Sequence, residues 1–477
     1  MKVLENLEPK KVFHYFEEIC SIPHGSRNTK QISDYLVDFA KAHGLTYYQD
    51  ELNNVVIIKE ASKGYENAEP VIIQGHMDMV CEKEKDCDID FEKEGLRLYV
   101  EGDFVKAKDT TLGGDDGIAV AYALAILDSD ELAHPRLEVV ITVDEEIGML
   151  GAIDIDLSML KGHTMLNLDS DEEGHFLTSC AGGMSMITEL PVKRVSQSGL
   201  KMLLTVTGLE GGHSGSEIHK EHGNANILMG RLLKQIMDIT PFGIISMDGG
   251  LKDNAIPREC VSVFASNDDF EKIKEAVLKV ENDLKEELKE SDEHVFVRLE
   301  KVDSLNEVIS VKESQDIISM MYLMPNGFMH KSLKMDLTNI SLNMGVVEMN
   351  EKFNIYFSIR SPMESAKDEL SNKLSLIASM FKAKYILDNN YPGWNYDEGS
   401  KLRKQYVDFV KETEEITLKE EGTHSGLETG IFKGALQDLD IITLGPDMFD
   451  IHTPDERLNM NSFYKCYQRL IHFLERL

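Results

Sequence analysis

The stretch that most constrains the fold is Val71–Val80, which reads VIIQGHMDMV. Its β-branched residues Val71–Ile73 form a short apolar run that ends near Gly75, a pattern typical of a buried strand in an α/β sheet. His76 and Asp78 follow the run directly. Ligands of open α/β sheets gather beyond the carboxyl ends of the strands, and imidazole is the commonest metal ligand. The stretch therefore predicts a strand that carries a candidate metal ligand to the edge of a sheet.

The length and net charge of the chain limit the class of protein to which it can belong. With 477 residues, of which 42% are hydrophobic, it is long enough for two packed domains. Its formal net charge of −34 repels nucleic acid and anionic membranes, and no segment approaches the roughly 18 apolar residues of a membrane span. The six cysteines include no CxxC pair, and the N-terminus lacks the apolar core of a signal peptide. These features predict a cytoplasmic protein that binds neither nucleic acid nor membranes.

Predicted strands and helices alternate in the two ends of the chain. Short apolar runs predict strands at 54–59, 71–74, 98–100, 104–106, 137–143, 165–168 and 439–444. Helical spacing of apolar residues predicts helices at 10–19, 29–42, 116–128 and 461–477. Such alternation is typical of the α/β class, with a mostly parallel sheet and helices on both of its faces.

The middle of the chain differs from the two ends. Its predicted strands lie at 202–207, 260–265, 294–299, 353–359 and 385–387, and its predicted helices at 224–237, 270–287, 314–323 and 363–381. The order of elements in the first part resembles the order in the second, which predicts a doubled α+β unit. The chain is therefore expected to contain a discontinuous catalytic domain, 1–184 plus 395–477, with a doubled α+β lid domain, 185–394, inserted in it.

Five loops beside the predicted strands carry residues that can bind a metal ion. In chain order they hold His76 and Asp78, Asp115 and Asp116, Glu145 and Glu146, Asp169, and His452. The loops are expected to meet, because the carboxyl ends of parallel strands share one edge of the sheet. Two histidines and several carboxylates suit Zn²⁺, with Mn²⁺ or Co²⁺ as alternatives. So many ligands predict two divalent ions about 3.5–4 Å apart, bridged by one carboxylate.

Several motifs resemble those of one family of co-catalytic metallopeptidases, which holds dipeptidases, tripeptidase, glutamate carboxypeptidase and aminoacylases. The motifs are GHMDMV, LGGDDG, DEEIG, NLDSDEEG, GGHSG and NAIPRE, followed by the late His452. The resemblance spans nearly the whole chain. It implies a dinuclear enzyme that hydrolyses dipeptides, Xaa-His among them, with a metal-activated water.

The resemblance also assigns roles to the residues of the predicted metal site. It implies that His76 and Asp169 bind the first ion, that Glu146 and His452 bind the second, and that Asp115 bridges the two. Asp78 would orient His76, and Glu145 would be the general base. Adjacent residues at a strand end point in different directions, so Glu145 can face the water while Glu146 faces a metal ion.

A second group of residues, mostly in the inserted segment, is implied to contact the substrate. By resemblance, His213 stabilises the oxyanion while Asn254 and Arg360 hold the substrate carboxylate. Arginine suits this role because it pairs with carboxylates in bidentate fashion. Three residues of the loop EGTHSGLETG would line the substrate side of the site: Gly422, Thr423 and Gly426. His424 departs from the residue found in many members of the family, and the sequence assigns it no role.

The resemblance further implies a homodimer. His213 and Arg360 lie in different halves of the doubled insert. If these halves pack together, both residues can reach the active site of their own chain. The dimer is therefore not expected to be needed to complete the site.

Two other functions fit parts of the same pattern. One is an N-acyl-amino-acid hydrolase with the same metal centre, and the other is an acidic metal-binding protein without catalysis. The large doubled insert favours a dipeptidase over the first. Glu145 argues against the second, because a storage site needs no spare base.

Overall fold

The computed structural model describes residues 2–303, 307–414 and 416–477. The chain forms two compact units. Unit 1 comprises Met1–Ser179, Trp394–Gly422 and Leu427–Leu477, and unit 2 comprises Cys180–Gly393 and Thr423–Gly426. Both units combine helices with sheets, so the predicted α/β class is confirmed. No helix in the described part of the chain has the length and apolar character that crossing a membrane requires.

The α-helices of the described residues lie in both units. They are α1 (Lys10–Cys20), α2 (Lys30–Ala42), α3 (Gly114–Leu127), α4 (Leu150–Asp154), α5 (Ala225–Ile239), α6 (Phe270–Glu287), α7 (Val311–Leu323), α8 (Glu364–Met380), α9 (Lys401–Glu414), α10 (Glu428–Ala435) and α11 (Met460–Leu474).

The strands are numbered in chain order in the same way. They are β1 (Thr46–Gln49), β2 (Val55–Lys59), β3 (Val71–His76), β4 (Leu98–Glu101), β5 (Phe104–Ala107), β6 (Leu137–Thr142), β7 (Thr164–Asn167), β8 (His175–Cys180), β9 (Gly182–Pro191), β10 (Arg194–Ser196), β11 (Leu200–Thr207), β12 (Gly212–His213), β13 (Phe242–Gly249), β14 (Ala255–Ile256), β15 (Cys260–Ser266), β16 (Phe296–Lys301), β17 (Glu307–Ile309), β18 (Gly327–Ser332), β19 (Leu337–Met349), β20 (Lys352–Ser361), β21 (Lys384–Tyr391), β22 (Lys419–Thr423), β23 (Asp440–Thr443), β24 (Met448–Phe449) and β25 (Arg457–Asn459).

The main sheet of unit 1 has the strand order β1-β2-β6-β3-β7-β23-β8-β22. Its four central strands β6, β3, β7 and β23 run parallel. β1 pairs antiparallel with β2, β2 with β6, and β8 with β23. Every residue of β3 and β6 is buried, as expected for central strands covered on both faces. The centre of the sheet, where the predicted ligand-bearing strands lie, is therefore parallel.

The core of unit 1 gathers around α3. This helix is apolar on all sides, and its residues from Gly117 to Leu127 are all buried. The ring of Tyr122 stacks on the ring of Phe463 in α11, with 4.7 Å between their centres. Phe13 of α1 contacts the Phe463 ring edge-on at 5.0 Å. Each such ring removed from water contributes roughly 1.5–3 kcal/mol. The packing holds the N-terminus of α3, which carries Asp115, in a fixed place.

Unit 2 has a nine-stranded sheet with the order β16-β11-β15-β13-β19-β20-β9-β21, and β18 pairs with β19. Helices α5 to α8 contact this sheet and one another. The sheet divides between β13 and β19 into two halves, and the strands and helices of both halves follow the same order. The two series are β11-α5-β13-β15-α6-β16 and β9-α7-β19-β20-α8-β21. The first strand of the second half, β9, precedes the whole first half in the chain, so the two halves are nested rather than consecutive. The role of this unit as a lid stays a prediction.

Candidate active site

The parallel strands of unit 1 bring the predicted metal ligands to one edge of the sheet. His76 is the last residue of β3 and lies opposite Thr142, the last residue of β6. The loop after β6 carries Glu145 and Glu146, and the loop after β7 carries Asp169. His452 follows β23 at a greater distance, between β24 and β25. The sequence predicted a strand ending at Gln74, but β3 continues to His76, so this histidine is held by the sheet itself.

Asp115 connects the two histidines. It lies at the start of α3, where the backbone is not yet helical, just after Gly113 with a φ of 66° that favours glycine. Its Oδ1 is 3.1 Å from His76 Nε2, and its Oδ2 is 3.2 Å from His452 Nε2. Burial would raise the pKa of Asp115, but the hydrogen bonds with His452 and His76 lower it below its usual value. Two oxygens that face two different histidines suit a carboxylate that bridges two ions.

Asp116 is a site residue to which the sequence analysis assigned no role. Its Oδ2 accepts a hydrogen bond from the backbone N–H of His76 at 3.1 Å. A side chain at Gly75 would come within 2.4 Å of that oxygen, which explains the glycine. Potential ligand atoms of Asp116, His76 and Asp169 all lie within 4.8 Å of one another. Burial and the nearby charge of Asp115 raise the pKa of Asp169 to about 7. Asp169 thus lies with Asp116 beside His76.

Glu146 and His452 form the other side of the centre. Oε1 of Glu146 is 3.0 Å from His452 Nε2, and ligand atoms of Asp115, Glu146 and His452 lie within 4.8 Å of one another. The hydrogen bonds with Asp115 and Glu146 raise the pKa of His452 to about 10. The His452 side chain is 44% exposed, whereas that of Glu146 is 7% exposed. This side of the centre is therefore the more accessible one.

Asp78 positions the loop after β6. Its carboxylate accepts hydrogen bonds from the backbone N–H groups of Glu145 at 3.0 Å and Glu146 at 3.4 Å, and from the Ser26 hydroxyl at 2.8 Å. His76 Nδ1 is closer to the Asp78 backbone oxygen, at 2.9 Å, than to its carboxylate, at 3.5 Å. The carboxylate of Asp78 therefore holds the loop after β6, and its backbone oxygen holds the His76 ring.

The Glu145 carboxylate stands apart from the paired ligands. Within the described residues it forms neither a hydrogen bond nor an ion pair, although one of its oxygens lies within 4.8 Å of ligand atoms of His76 and Glu146. Burial raises the pKa of Glu145 well above its usual value. A carboxylate with no fixed partner and a raised pKa is suited to accept and return a proton.

The donor set fits divalent cations. Buried carboxylates outnumber the histidines at this edge, and burial raises the pKa values of Asp116, Glu145 and Asp169. Such a cluster must either hold protons or be neutralised by a cation, because buried like charges repel each other strongly. Imidazole nitrogen and carboxylate oxygen together are ligands of Zn²⁺, Mn²⁺ and Co²⁺. The residues present therefore fit a two-ion centre.

Glu456 supports the loop that carries Asp115, and the sequence analysis did not single it out. Its buried carboxylate accepts hydrogen bonds from the backbone N–H groups of Leu112 at 2.6 Å, Gly113 at 3.1 Å and Gly114 at 2.8 Å. Glu456 follows His452 by four residues, so one short segment holds both a histidine and the loop of Asp115. The only signal in the sequence was a carboxylate close behind a candidate ligand, which by itself is common.

The variant Glu456→Gln is expected to bind Zn²⁺ about 10- to 100-fold more weakly, the usual effect of losing a residue that orients a metal ligand. An amide keeps the size of the side chain but points a donor at backbone N–H groups that need an acceptor. Titration of the metal-free protein with Zn²⁺ measures the change. The matched control is Asp455→Asn, which alters the exposed neighbouring carboxylate. Equal affinities for the two variants would contradict the supporting role.

Glu428 is a further buried carboxylate that the sequence analysis did not assign. Its Oε2 accepts hydrogen bonds from Gln74 Nε2 at 2.5 Å and Thr142 Oγ1 at 2.6 Å. Burial raises its pKa to about 8. It thus ties β3 to β6 near their carboxyl ends. A lone glutamate at the start of a short helix gives no sequence signal of such a position.

In unit 2, His213 and Asn254 are neighbours. His213 of β12 pairs with Ala255 of β14, and the N–H of Ser214 donates to the Asn254 backbone oxygen at 2.9 Å. His213 Nδ1 accepts a hydrogen bond from the Ser216 N–H at 3.2 Å, which leaves the ring proton on Nε2. Burial and the charge of Arg360 lower the pKa of His213, so its ring is a neutral donor. The Asn254 side chain is exposed.

Arg360 is 7% exposed and lies in the run of buried residues at the end of β20. Within the described part of the chain it forms no ion pair, and Nη1 donates only a long hydrogen bond of 3.4 Å to Tyr391 Oη. Gly426 packs against the same tyrosine ring. Thr423 accepts the Ser425 N–H at 3.1 Å. Gly422 ends a segment of unit 1, whereas Thr423 and Gly426 belong to unit 2.

Comparison with known proteins identifies the family. The model of peptidase family M20/M25/M40 matches residues 72–476. The chain belongs to this family. The resemblance and the hydrolase class predicted from the motifs are thereby confirmed.

Similar proteins align with nearly the whole length of the chain. The Escherichia coli protein named cytosol non-specific dipeptidase is 35% identical over an alignment of 486 positions, which covers 100% of this chain and 99% of the relative. The crystal structure of aminoacylhistidine dipeptidase from Vibrio alginolyticus is 33% identical, with a TM-score of 0.92 over 99% of this chain and 98% of that one. Aminopeptidase PepT from Bacillus cereus, 13% identical with a TM-score of 0.57 over 98% of each chain, shares the fold.

Proposed function

We propose that this protein is a metal-dependent dipeptidase of the M20/M25/M40 family. The observation that carries the proposal is Asp115, whose two carboxylate oxygens face His76 and His452 from opposite sides, with the unpaired Glu145 nearby. A centre that only stored metal would have no use for this unpaired carboxylate. Support for dipeptides comes from the Escherichia coli relative at 35% identity and the Vibrio alginolyticus structure at 33% identity, both named dipeptidases.

Two divalent ions would be held by the residues at the sheet edge. His76 and Asp169 would bind one ion, Glu146 and His452 the other, and Asp115 both, with Asp116 as a further oxygen donor beside His76. The mixed nitrogen and oxygen donors suit Zn²⁺ first, and Mn²⁺ or Co²⁺ next. When bound, such ions polarise the scissile carbonyl and lower the pKa of water.

The residues of the chain itself would move the proton and hold the substrate. Glu145 would take a proton from the attacking water and return it to the leaving amine. His213, with its ring proton on Nε2, would donate a hydrogen bond to the oxygen that gains negative charge. Asn254 and Arg360 would hold the substrate's terminal carboxylate, with the loop of Gly422, Thr423 and Gly426 as part of the substrate wall.

The location and assembly follow from the same proposal. The Escherichia coli relative carries the word cytosol in its name, which supports a cytoplasmic location. Its partners would be small dipeptides rather than nucleic acid or membranes. A homodimer, if formed, would not be required to complete the active site.

Amino-acid release from L-alanyl-L-alanine and from N-acetyl-L-alanine tests the function. We expect hydrolysis of the dipeptide only, loss of activity with a chelator, and recovery on addition of Zn²⁺. Hydrolysis of the acetyl compound alone would identify an N-acyl-amino-acid hydrolase. Hydrolysis of neither, in protein with its metal bound, would leave a metal-binding protein.

Amidation of the dipeptide's terminal carboxylate is expected to lower kcat/KM. The buried Arg360 would lose its anionic partner, which costs about 1–3 kcal/mol, or roughly 5- to 150-fold. Arg360→Gln should remove most of the difference between the free and amidated dipeptides. The control is Arg298→Gln, which replaces an exposed arginine of β16. Equal kcat/KM values for the two substrates with the wild-type enzyme would refute the role of Arg360.

A further inference from the structure

Unit 2 contains a buried polar cluster formed by Ser341, Arg360 and His424. Ser341 of β19 and Arg360 of β20 lie directly opposite each other in the sheet. His424 is 3% exposed, and its Nε2 lies 2.7 Å from the Ser341 hydroxyl oxygen. The sequence left His424 without a role, but the structure places it beside the arginine assigned to the substrate carboxylate.

Two polar atoms of this cluster have no hydrogen-bond partner among the described residues. They are Nδ1 of His424 and Nε of Arg360. Buried polar atoms in folded proteins are nearly always paired, and these two are available to pair with a ligand that enters the cluster. Because Arg360 has no ion pair within the described residues, that ligand is expected to be an anion.

The charge of His424 decides what it can offer to such a ligand. Burial and the charge of Arg360 lower the pKa of His424 to about 3, although the Thr338 carbonyl acts in the opposite direction. The ring is therefore neutral and has one N–H donor and one acceptor nitrogen. If the Ser341 hydroxyl donates to Nε2, the ring proton lies on Nδ1, where it can be donated to an oxygen that only accepts hydrogen bonds.

Gly215 keeps the loop of His424 close to His213. A Cβ at Gly215 would lie 2.9 Å from His213 Cε1 and 3.2 Å from the His424 backbone oxygen. Any larger residue would push the two apart. The histidine assigned to the oxyanion and the loop of His424 therefore belong to one region of unit 2.

We infer that His424 is a substrate-binding residue whose Nδ1–H donates a hydrogen bond to the dipeptide carboxylate that pairs with Arg360. The inference rests on the proposed dipeptidase function and adds a residue to it. Arg360 supplies the charge, while the neutral His424 supplies a donor of fixed direction, set by Ser341. An oxygen held by both groups would satisfy the two unpaired atoms of the cluster.

Two substitutions of His424 separate the roles of its ring nitrogens. The amide nitrogen of asparagine can occupy the place of Nδ1, whereas that of glutamine reaches the place of Nε2. His424→Gln is therefore expected to lower kcat/KM for L-alanyl-L-alanine about 10- to 100-fold, mainly through KM, as for a lost hydrogen bond to a charged group. His424→Asn should retain most of the wild-type value.

The amidated dipeptide L-alanyl-L-alaninamide supplies a readout that a merely structural role would not give. His424→Gln should lower kcat/KM for this substrate clearly less than for the free dipeptide, because the remaining amide oxygen is neutral and a weaker acceptor than a carboxylate oxygen. Metal content and thermal midpoint should match those of His330→Gln, a control at an exposed histidine of β18. Should His424→Gln fail to fold, Ser341→Ala tests the same point, because it removes the partner of Nε2 and should impair the unmodified dipeptide more than the amidated one.

The outcomes distinguish this inference from the proposed function. Equal losses on the free and amidated dipeptides, or a glutamine variant as active as the asparagine variant, would overturn the role of His424 while leaving the dipeptidase function intact. Failure of the metal-loaded wild-type protein to hydrolyse L-alanyl-L-alanine would overturn the function itself, and the inference with it.

Discussion

Glu145→Gln is expected to keep its bound metal while kcat falls by about 10²- to 10⁴-fold, the usual range for the loss of a general acid or base. The Glu145 carboxylate has no hydrogen bond or ion pair within the described residues, so the pairs that Asp115 and Glu146 form with the two histidines do not depend on it. Glutamine has the same size but cannot accept the proton of water. Metal analysis and steady-state kinetics on one preparation measure both effects.

The control for this variant is Glu131→Gln, the same chemical change at an exposed residue of unit 1. It should leave kcat and metal content unchanged. A Glu145→Gln enzyme that keeps more than half of the wild-type activity would show that Glu145 is not the general base. Loss of metal in the same variant would instead make Glu145 a ligand.

Asp115→Ala should show the largest loss of metal among the ligand variants. Its two oxygens face His76 at 3.1 Å and His452 at 3.2 Å, so one substitution removes a donor from both sides of the centre. His76→Ala removes a donor from only one side. We therefore expect Asp115→Ala to retain little of either ion, and His76→Ala to retain part of the metal at Glu146 and His452.

Dialysis followed by elemental analysis gives the number of ions bound to each variant. Activity should follow occupancy and be lowest in Asp115→Ala. Two ions still bound to Asp115→Ala would show that another carboxylate bridges them. Asp116 would then be the first candidate, because it lies within 4.8 Å of ligand atoms of His76 and Asp169.

Much of the local structure could be predicted from the chain alone. The predicted helix at 270–287 coincides with α6, and the apolar runs at 71–74 and 137–143 match most of β3 and β6. These segments carry strong periodicity or dense β-branched residues, so local preference and burial agree. Nothing was predicted for β13, β19 or α9. The long strand β19 mixes polar and apolar residues around Gly345, and α9 has buried residues on only one face.

The sequence by itself determined which residue types could bind metal and that they follow strands. It could do so because a strand and the loop after it are contiguous in the chain. The order of the strands, the nesting of β9 ahead of the first half of unit 2, and the antiparallel outer strands of unit 1 depended on pairing between distant segments. Such pairing is set by long-range contacts, which leave little trace in local periodicity.

The fine geometry of the site was likewise decided by tertiary structure. Only the fold turned the two oxygens of Asp115 toward different histidines and placed Glu456 beneath its loop. Only the pairing of β19 with β20 brought Ser341 opposite Arg360, with His424 against them. The physical reason is burial: a polar side chain removed from water must find partners, and those partners come from segments that the sequence separates by many residues.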